Sequence, residues 1–246
     1  MTWVKICGMT NLEDALVAVD AGADAVGFVF YEKSPRCVTV ETAREICARL
    51  SEEVEKIGVF VDPEVDPGKT LLKSGLTGIQ SYVSAAGVAG SRGSTKATGR
   101  SMSPPNYRFM MAFPVSLFSD PLREIEGMLE GFARLRRNLP DGVSFPEGIF
   151  DTLVLDSGNA QAPGGTGKPF DWESAGPIAD AFRRNDVKLV VAGGLAPVNV
   201  GNAIQILQPW GVDVSSGVEA RPGKKDPEKV RAFVRAVREA DRRALQ

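Results

Sequence analysis

The sequence predicts a single α/β domain built as a parallel (β/α)8 barrel of the TIM type, and three features predict it. Short apolar runs alternate with amphipathic segments of helix length from one end of the chain to the other. Eight such runs can be counted, each followed by a helix or by something in a helix's place. Runs such as LVVA and TLVLD are apolar almost throughout, as strands buried on both faces of a parallel sheet must be. A chain of 246 residues suits one barrel of this kind, and no linker divides it. A doubly wound open sheet shares the alternation. The count of eight, and the polar residues placed after strands 1, 6, 7 and 8, favour closure.

The elements follow in order. Trp3–Ile6 reads as the first strand and Asn11–Ala21 as a helix with Leu12, Ala15, Leu16 and Val19 on one face. Thr10 or Asn11 supplies its N-cap and Gly22 its stop. Ala25–Val29 is the second strand, and Val40–Leu50 is a helix whose Ala43, Ile46, Cys47 and Leu50 form one stripe. Lys56–Val61 is the third strand, Pro67–Ser74 a short helix, and Gly78–Gln80 the centre of a short fourth strand. Residues 83–106 are rich in Gly, Ser and Thr and predict a loop or a poorly formed helix. Arg108–Val115 reads as strand five, Pro121–Asn138 as a charged helix opened by proline, and Leu139–Ile149 as irregular. The expected barrel is therefore irregular after strands 4 and 5. Phe150–Leu155, Lys188–Ala192 and Val212–Ser215 complete the strands; Trp172–Arg183, Pro197–Leu207 and Pro227–Ala240 complete the helices. Trp3, Trp172 and Trp210 are assigned to packing.

Composition narrows the chemistry. Twenty-nine basic and 31 acidic residues nearly cancel, so no global field draws the chain to nucleic acid or to an anionic membrane. No run approaches the roughly eighteen apolar residues that span a bilayer, and MTWVKICGM lacks a secretory apolar region. Cys7, Cys37 and Cys47 form neither a disulfide framework nor a metal-ligand spacing, which suits a reducing cytoplasm. Histidine is absent. Histidine-based triads and the common zinc sites are thereby excluded, and proton transfer falls to Cys, Asp, Glu, Lys or Tyr. Nothing in the composition separates a monomer from a homodimer.

Two residues are placed to do that work. Period-two alternation in VKICGM puts Lys5 and Cys7 on one side and Val4 and Ile6 on the other. Val4 and Ile6 suit the layer facing the helices, which turns Cys7 toward the axis at the C-terminal mouth; the plainer reading is a small buried hydrophobe. A cysteine of ordinary pKa is only a few per cent thiolate at neutral pH, so catalysis needs a nearby cation, and Lys5 is available. Gly8 permits close backbone approach. Asp156 ends an apolar strand in DTLVLDSG, where a carboxylate either caps the following segment or belongs to a site. The loop that follows, GNAQAPGGTGKPFDW, carries four glycines and Lys168 and is expected to fold over a ligand.

An anion site is expected at the neighbouring loops. Gly193 and Gly194 follow strand seven and Ser215, Ser216 and Gly217 follow strand eight. Glycines let backbone N–H groups converge on a phosphate, and barrels commonly hold phosphate at strands 7–8. Either turn alone has the reading of a simple loop. Arg36, in YEKSPRCV, is a surface arginine by default or, at the mouth, a planar clamp for a carboxylate. Asp213 shares a side of strand eight with Ser215; it either faces the pocket, where it would bind sugar hydroxyls, or pairs with Lys5 inside the barrel.

Together VKICGMTNLEDALVAVDAGADAVGFVF, the following SPR, LVLDSG…GGTGKPFDW, VAGGLAPVNV and VDVSSGVEARPGKKD resemble the phosphoribosylanthranilate isomerases of tryptophan biosynthesis. The similarity covers residues 3–61 and 150–240 closely and the stretch between them thinly. KICG near the start combined with DVSSGVE near the end is highly specific. The resemblance implies a single barrel and an Amadori rearrangement of N-(5-phosphoribosyl)anthranilate, without cofactor or metal. It also implies that Asp156 protonates the furanose ring oxygen as general acid and that Cys7 takes the proton from C2 as general base. Phosphate would rest on amides around Gly194 and Ser216, and Arg36 would hold the anthranilate carboxylate.

One departure stands out. Family members usually carry a QLHG-like motif after strand four, where this chain has Gln80-Ser81-Tyr82-Val83, with Tyr82 in the histidine's place. Two other readings compete. A barrel isomerase acting on a phosphoribosyl aminoimidazole of the histidine pathway, or on both substrates, would work with paired aspartates; Cys7 argues against it, while Asp156 and Asp213 keep it open. A non-catalytic phosphate-binding barrel is the other, against which both proton-transfer positions weigh.

Overall fold

The computed structural model describes residues 1–61, 67–82, 107–137, 152–157 and 171–244. Eight parallel strands, β1 (Trp3–Cys7), β2 (Ala25–Val29), β3 (Glu55–Phe60), β4 (Gly78–Tyr82), β5 (Arg108–Pro114), β6 (Thr152–Asp156), β7 (Lys188–Ala192) and β8 (Gly211–Val214), pair in sequence order. The ring closes where β8 meets β1, with Trp3 opposite Gly211 and Lys5 opposite Asp213. Closure excludes the open doubly wound sheet. The described helices are α1 (Leu12–Asp20), α2 (Val40–Cys47), α3 (Pro67–Ser74), α4 (Pro121–Arg137), α5 (Gly176–Arg184), α6 (Val200–Leu207) and α7 (Pro227–Ala244). The expected irregular segments 83–106 and 139–149, and the loop bearing Lys168, lie outside the described residues.

Alternation sorts each strand into two faces. Val4 and Ile6 join the apolar shell shared with the helices. Trp3, Ala25, Ile57, Met110, Ala112, Val154, Val190 and Ala192 form a separate cluster within the ring. Cys7, Val29 and Val59 make a third, with Tyr31 and Tyr82 against it. Lys5, one side-chain step below Cys7 on the same face of β1, is fully buried. Its ammonium donates to Asp213 Oδ2 at 2.7 Å and to Gln80 Oε1 at 3.0 Å. Removing such ions from water costs on the order of several kcal/mol each, so an apolar layer would serve the barrel's stability as well.

Helix ends follow their local chemistry. Asn11 caps α1, its side-chain oxygen accepting from Asp14 N at 2.9 Å. Gly22 ends that turn in the left-handed region at φ 93°. The expected face of α1 is corrected: Asp14, Ala15 and Ala18 are buried, whereas Leu16 is 39% exposed. The cause is the Asp14 carboxylate, which accepts from Lys224 Nζ at 2.6 Å and from Lys225 N at 2.7 Å, rotating the helix inward on that side. Helix α2 buries its expected stripe.

Helix α5 starts at Gly176 rather than near Trp172. The Asp171 carboxylate accepts from the backbone of Glu173 and Ser174, winding residues 172–175 into a turn, and Pro177 sets the first helical turn. Helix α6 likewise starts late, at Val200, because Asn199 ties the preceding loop to itself through Ala196 N and Gly194 O. A short antiparallel hairpin, β9 (Glu219–Arg221) and β10 (Lys224–Lys225), is an element that the sequence pattern does not predict.

Candidate active site

At the C-terminal mouth a cavity of about 290 Å³ opens above the Lys5–Asp213 layer. Cys7 and Asp156, the last residues of β1 and β6, both line it. Arg36, Asp213, Gly193, Gly194, Ser215 and Ser216 line it too. All eight are candidates on sequence grounds, and the barrel brings them to one space from five strand ends.

Each position has a physical cause. Cys7 is buried against Gly27 of the adjacent strand, where a Cβ would lie 2.8 Å from its sulfur and 3.0 Å from Lys5 Cε. A bare α-carbon there lets thiol and ammonium stem crowd the same spot. Burial pushes the Cys7 thiol above its ordinary pKa, and the Lys5 charge opposes that rise. For Lys5, burial works against the ammonium, but Asp213 and Cys7 outweigh it and raise its pKa. The lysine therefore stays charged beneath the thiol. Asp213 pairs with Lys5 through Oδ2 and also lines the cavity.

The turns after β7 and β8 are built for close approach. Gly193 and Gly194 adopt φ 83° and 67°, and a Cβ on Gly193 would collide with Ser157 beside Asp156. Gly217 is the one candidate that does not line the cavity. A side chain there would strike the Leu195 carbonyl, so its bare backbone lets the two turns pack together. Ser215–Gly217 thus forms a tight turn whose Ser216 begins a single 3-10 turn at the cavity edge.

Arg36 lies between the cavity and a buried acid. Its Nε and Nη2 each donate to one oxygen of Glu219 at 2.8 Å. The Glu219 hydrogen bonds raise the Arg36 pKa. Burial penalises the Glu219 carboxylate, yet Arg36 and Lys225 outweigh the penalty and lower its pKa. Lys225, 1% exposed, donates to Glu219 Oε1 at 2.9 Å and to the Ser215 carbonyl at 3.2 Å. Burial lowers its pKa. Arg36 and Lys225 thus converge on one acid behind the turn after β8. Neither Glu219 nor Lys225 has a role in the sequence reading, although both stand in VEARPGKKD. The signal is present: a Pro-Gly turn flanked by opposite charges is a hairpin that can fold its acid and lysine together.

Tyr82 completes the wall. Its hydroxyl donates to Asp156 Oδ2 at 2.7 Å. Burial first, and then Asp156, push its pKa well above the ordinary tyrosine value, so the phenol remains protonated.

Comparison with known proteins identifies the family of the chain. The sequence profile of the N-(5'phosphoribosyl)anthranilate (PRA) isomerase family matches residues 4–80 and 141–236. The chain is 41% identical over 242 residues to N-(5'-phosphoribosyl)anthranilate isomerase of Rubrobacter xylanophilus, covering 97% of this chain and 100% of that one. Identity to the Thermotoga maritima enzyme is 39% over 235 residues, 96% of this chain and 98% of that one. A crystal structure of the Thermotoga maritima isomerase superposes with TM-score 0.69 at 34% identity, covering 97% of this chain and all 100% of the other. A phosphoribosyl anthranilate isomerase in complex with reduced 1-(o-carboxyphenylamino)-1-deoxyribulose 5-phosphate superposes with TM-score 0.67 at 33% identity over 97% and 100% of the two chains. The chain therefore belongs to the N-(5'-phosphoribosyl)anthranilate isomerase family and is an enzyme that isomerises that aminosugar phosphate in tryptophan biosynthesis.

Proposed function

We propose that the rearrangement of N-(5-phosphoribosyl)anthranilate runs here with Asp156 as general acid and Cys7 as general base, without cofactor or metal. Asp156 gives its proton to the furanose ring oxygen. The C1–O bond breaks as the anthranilate nitrogen lone pair forms the Schiff base. The Cys7 thiolate then removes the proton from C2, leaving the enolamine; the Cys7 thiol returns a proton to C1 while the O2 hydroxyl gives up its own, which restores the Asp156 acid and gives the 1-amino-2-ketone. The observation that carries this reading is the convergence of the Cys7 thiol and the Asp156 carboxylate on one cavity of about 290 Å³. Two groups of different acidity facing one substrate can divide acid and base roles.

The rest of the wall fits the substrate's two anionic ends. Backbone N–H groups of the turns at Gly193–Gly194 and Ser215–Ser216 would hold the phosphate, with the Lys225 charge behind them. Arg36 offers the anthranilate carboxylate the Nη1 side that its bonds to Glu219 do not use. Asp213 faces the ribose hydroxyls. The relative solved with a reduced product analogue supports a site of this size and charge. Three free cysteines suit a reducing cytoplasm; among the described residues no helix is long and apolar enough to cross a membrane.

Anthranilate fluorescence supplies the test, since it disappears when purified enzyme meets freshly generated substrate. Wild-type enzyme is expected to quench it, and Cys7→Ala and Asp156→Asn to do so at least ~10²-fold more slowly. Turnover at the parent rate in either variant ends the corresponding assignment.

A further inference from the structure

We propose that Tyr82 is a positioning residue that makes Asp156 a better proton donor, by donating a hydrogen bond that strengthens as the carboxyl group loses its proton. The proposal rests on Asp156 being the general acid. Three observations lead to it. Tyr82 Oη lies 2.7 Å from Asp156 Oδ2, both residues line the same cavity, and the phenol stands at the end of β4, two strands away from β6. A side chain reaching across the mouth to that oxygen holds the carboxyl group from a strand other than its own.

The direction of the effect follows from charge. With its pKa raised by burial and by the neighbouring acid, the phenol can only donate in the working range. A neutral carboxyl accepts such a bond weakly; a carboxylate accepts it about twice as strongly. The bond thus gains strength during proton transfer to the ring oxygen, which lowers the barrier rather than the substrate's ground state. Cys7, Asp213, Arg36, Tyr31 and Lys33 also line the cavity, and Lys5 lies beneath it. Asp213 and Cys7 in their ionised forms push the phenol's pKa further upward, so both keep it a donor. Lys5 is engaged with Asp213 and Gln80, and Arg36 with Glu219.

Tyr82→Phe keeps the ring and its packing while deleting the donor. Four enzymes are compared by anthranilate fluorescence: wild type, Tyr82→Phe, Asp156→Asn and the double variant. Tyr82→Phe is expected to lose roughly 10- to 100-fold in kcat with KM changed less than about 3-fold. Its pH profile should show the Asp156 limb moved to higher pH, because a carboxylate without its donor is harder to form. In the Asp156→Asn background the same change should cost almost nothing, the non-additivity expected of residues acting through one group. Equal losses in both backgrounds, or an unmoved pH limb, overturn the role of Tyr82 while leaving Asp156 in place. Full activity of Asp156→Asn alone instead overturns the reading beneath it. An unchanged melting temperature in Tyr82→Phe excludes loss of fold as the source of the effect.

Discussion

The two ends of the barrel solve opposite problems with the same eight strands. At the N-terminal end Trp3 and Trp210 stack with ring centroids 5.1 Å apart. The Arg108 guanidinium lies 5.0 Å from the Trp210 ring and 5.8 Å from the Trp3 ring, and Lys188 sits 5.1 Å from the Trp210 ring. Arg108 is further paired to Glu55 at 2.5 Å. Cation and ring satisfy one another there, and the end is shut. At the C-terminal end the ionisable groups are only partly matched: Lys225 and Arg36 share Glu219, Cys7 is a buried thiol above Lys5, and a cavity is left between them. Ring and cation packing fills one end and the cavity opens the other, joined by strands only four to seven residues long.

Breaking the comparison should therefore give effects that do not mix. The largest belongs to the proposed proton-transfer pair: Cys7→Ala and Asp156→Asn are expected to lose at least ~10²-fold in kcat with little change in unfolding midpoint. Next comes Arg36→Ala, for which KM should rise on the order of 10-fold or more with kcat altered less. That is the pattern for an interaction equally strong in the ground and transition states. An unchanged KM would return Arg36 to a structural role with Glu219.

The Lys5 layer gives a smaller and more diagnostic effect. Lys5→Met alone would strand the Asp213 carboxylate, so the pair Lys5→Met/Asp213→Asn is the useful variant. Burial already holds the Cys7 thiol high, and Lys5 is what opposes it. With Cys7 as the proposed base and Asp156 as the proposed acid, kcat/KM of the wild type should show two pH limbs, one of them set by the Cys7 thiol. In the double variant that limb should move to still higher pH, because the Lys5 charge and hydrogen bond that hold the thiol down outweigh the Asp213 charge that pushes it up, and activity at neutral pH should fall roughly 10-fold. A limb displaced to lower pH would show that the Asp213 charge, rather than Lys5, sets the net effect of this pair on the thiol. At the other end, Trp3→Ala should cost about 3 kcal/mol, read as a lower urea midpoint, and change kcat less than about 2-fold. A kcat loss rivalling that of Cys7→Ala would erase the division between the two ends.

What the sequence discloses depends on how far each feature reaches. Cys7 and Asp156 are legible because strand alternation and strand endings are local, and a polar residue closing an apolar strand announces itself. The glycine turns are legible for the same reason: Gly193 and Gly194 need only their own backbone to be read. Glu219 and Lys225 are not, since their meaning lies in Arg36, 183 residues away from Glu219. The face of α1 is misjudged through Leu16 because periodicity ranks side chains by polarity. Nothing local says that Asp14 will be pulled inward by a hairpin 210 residues later. The late start of α5 is closer to hand, in the Asp171–Ser174 turn and in Pro177, whose capping signals the amphipathic pattern overruns.

The Lys5–Asp213 contact lies on the seam where the first strand meets the last, bridging 208 positions of chain. A thiol tuned by that contact is not tuned in any partly folded chain, however many of its early strands have paired. Until the ring shuts, a growing chain carries an ordinary solvated sulfhydryl, and only closure brings together the burial that raises the thiol and the lysine that opposes it. The closing strand is at once the last piece of the scaffold and the switch that arms it.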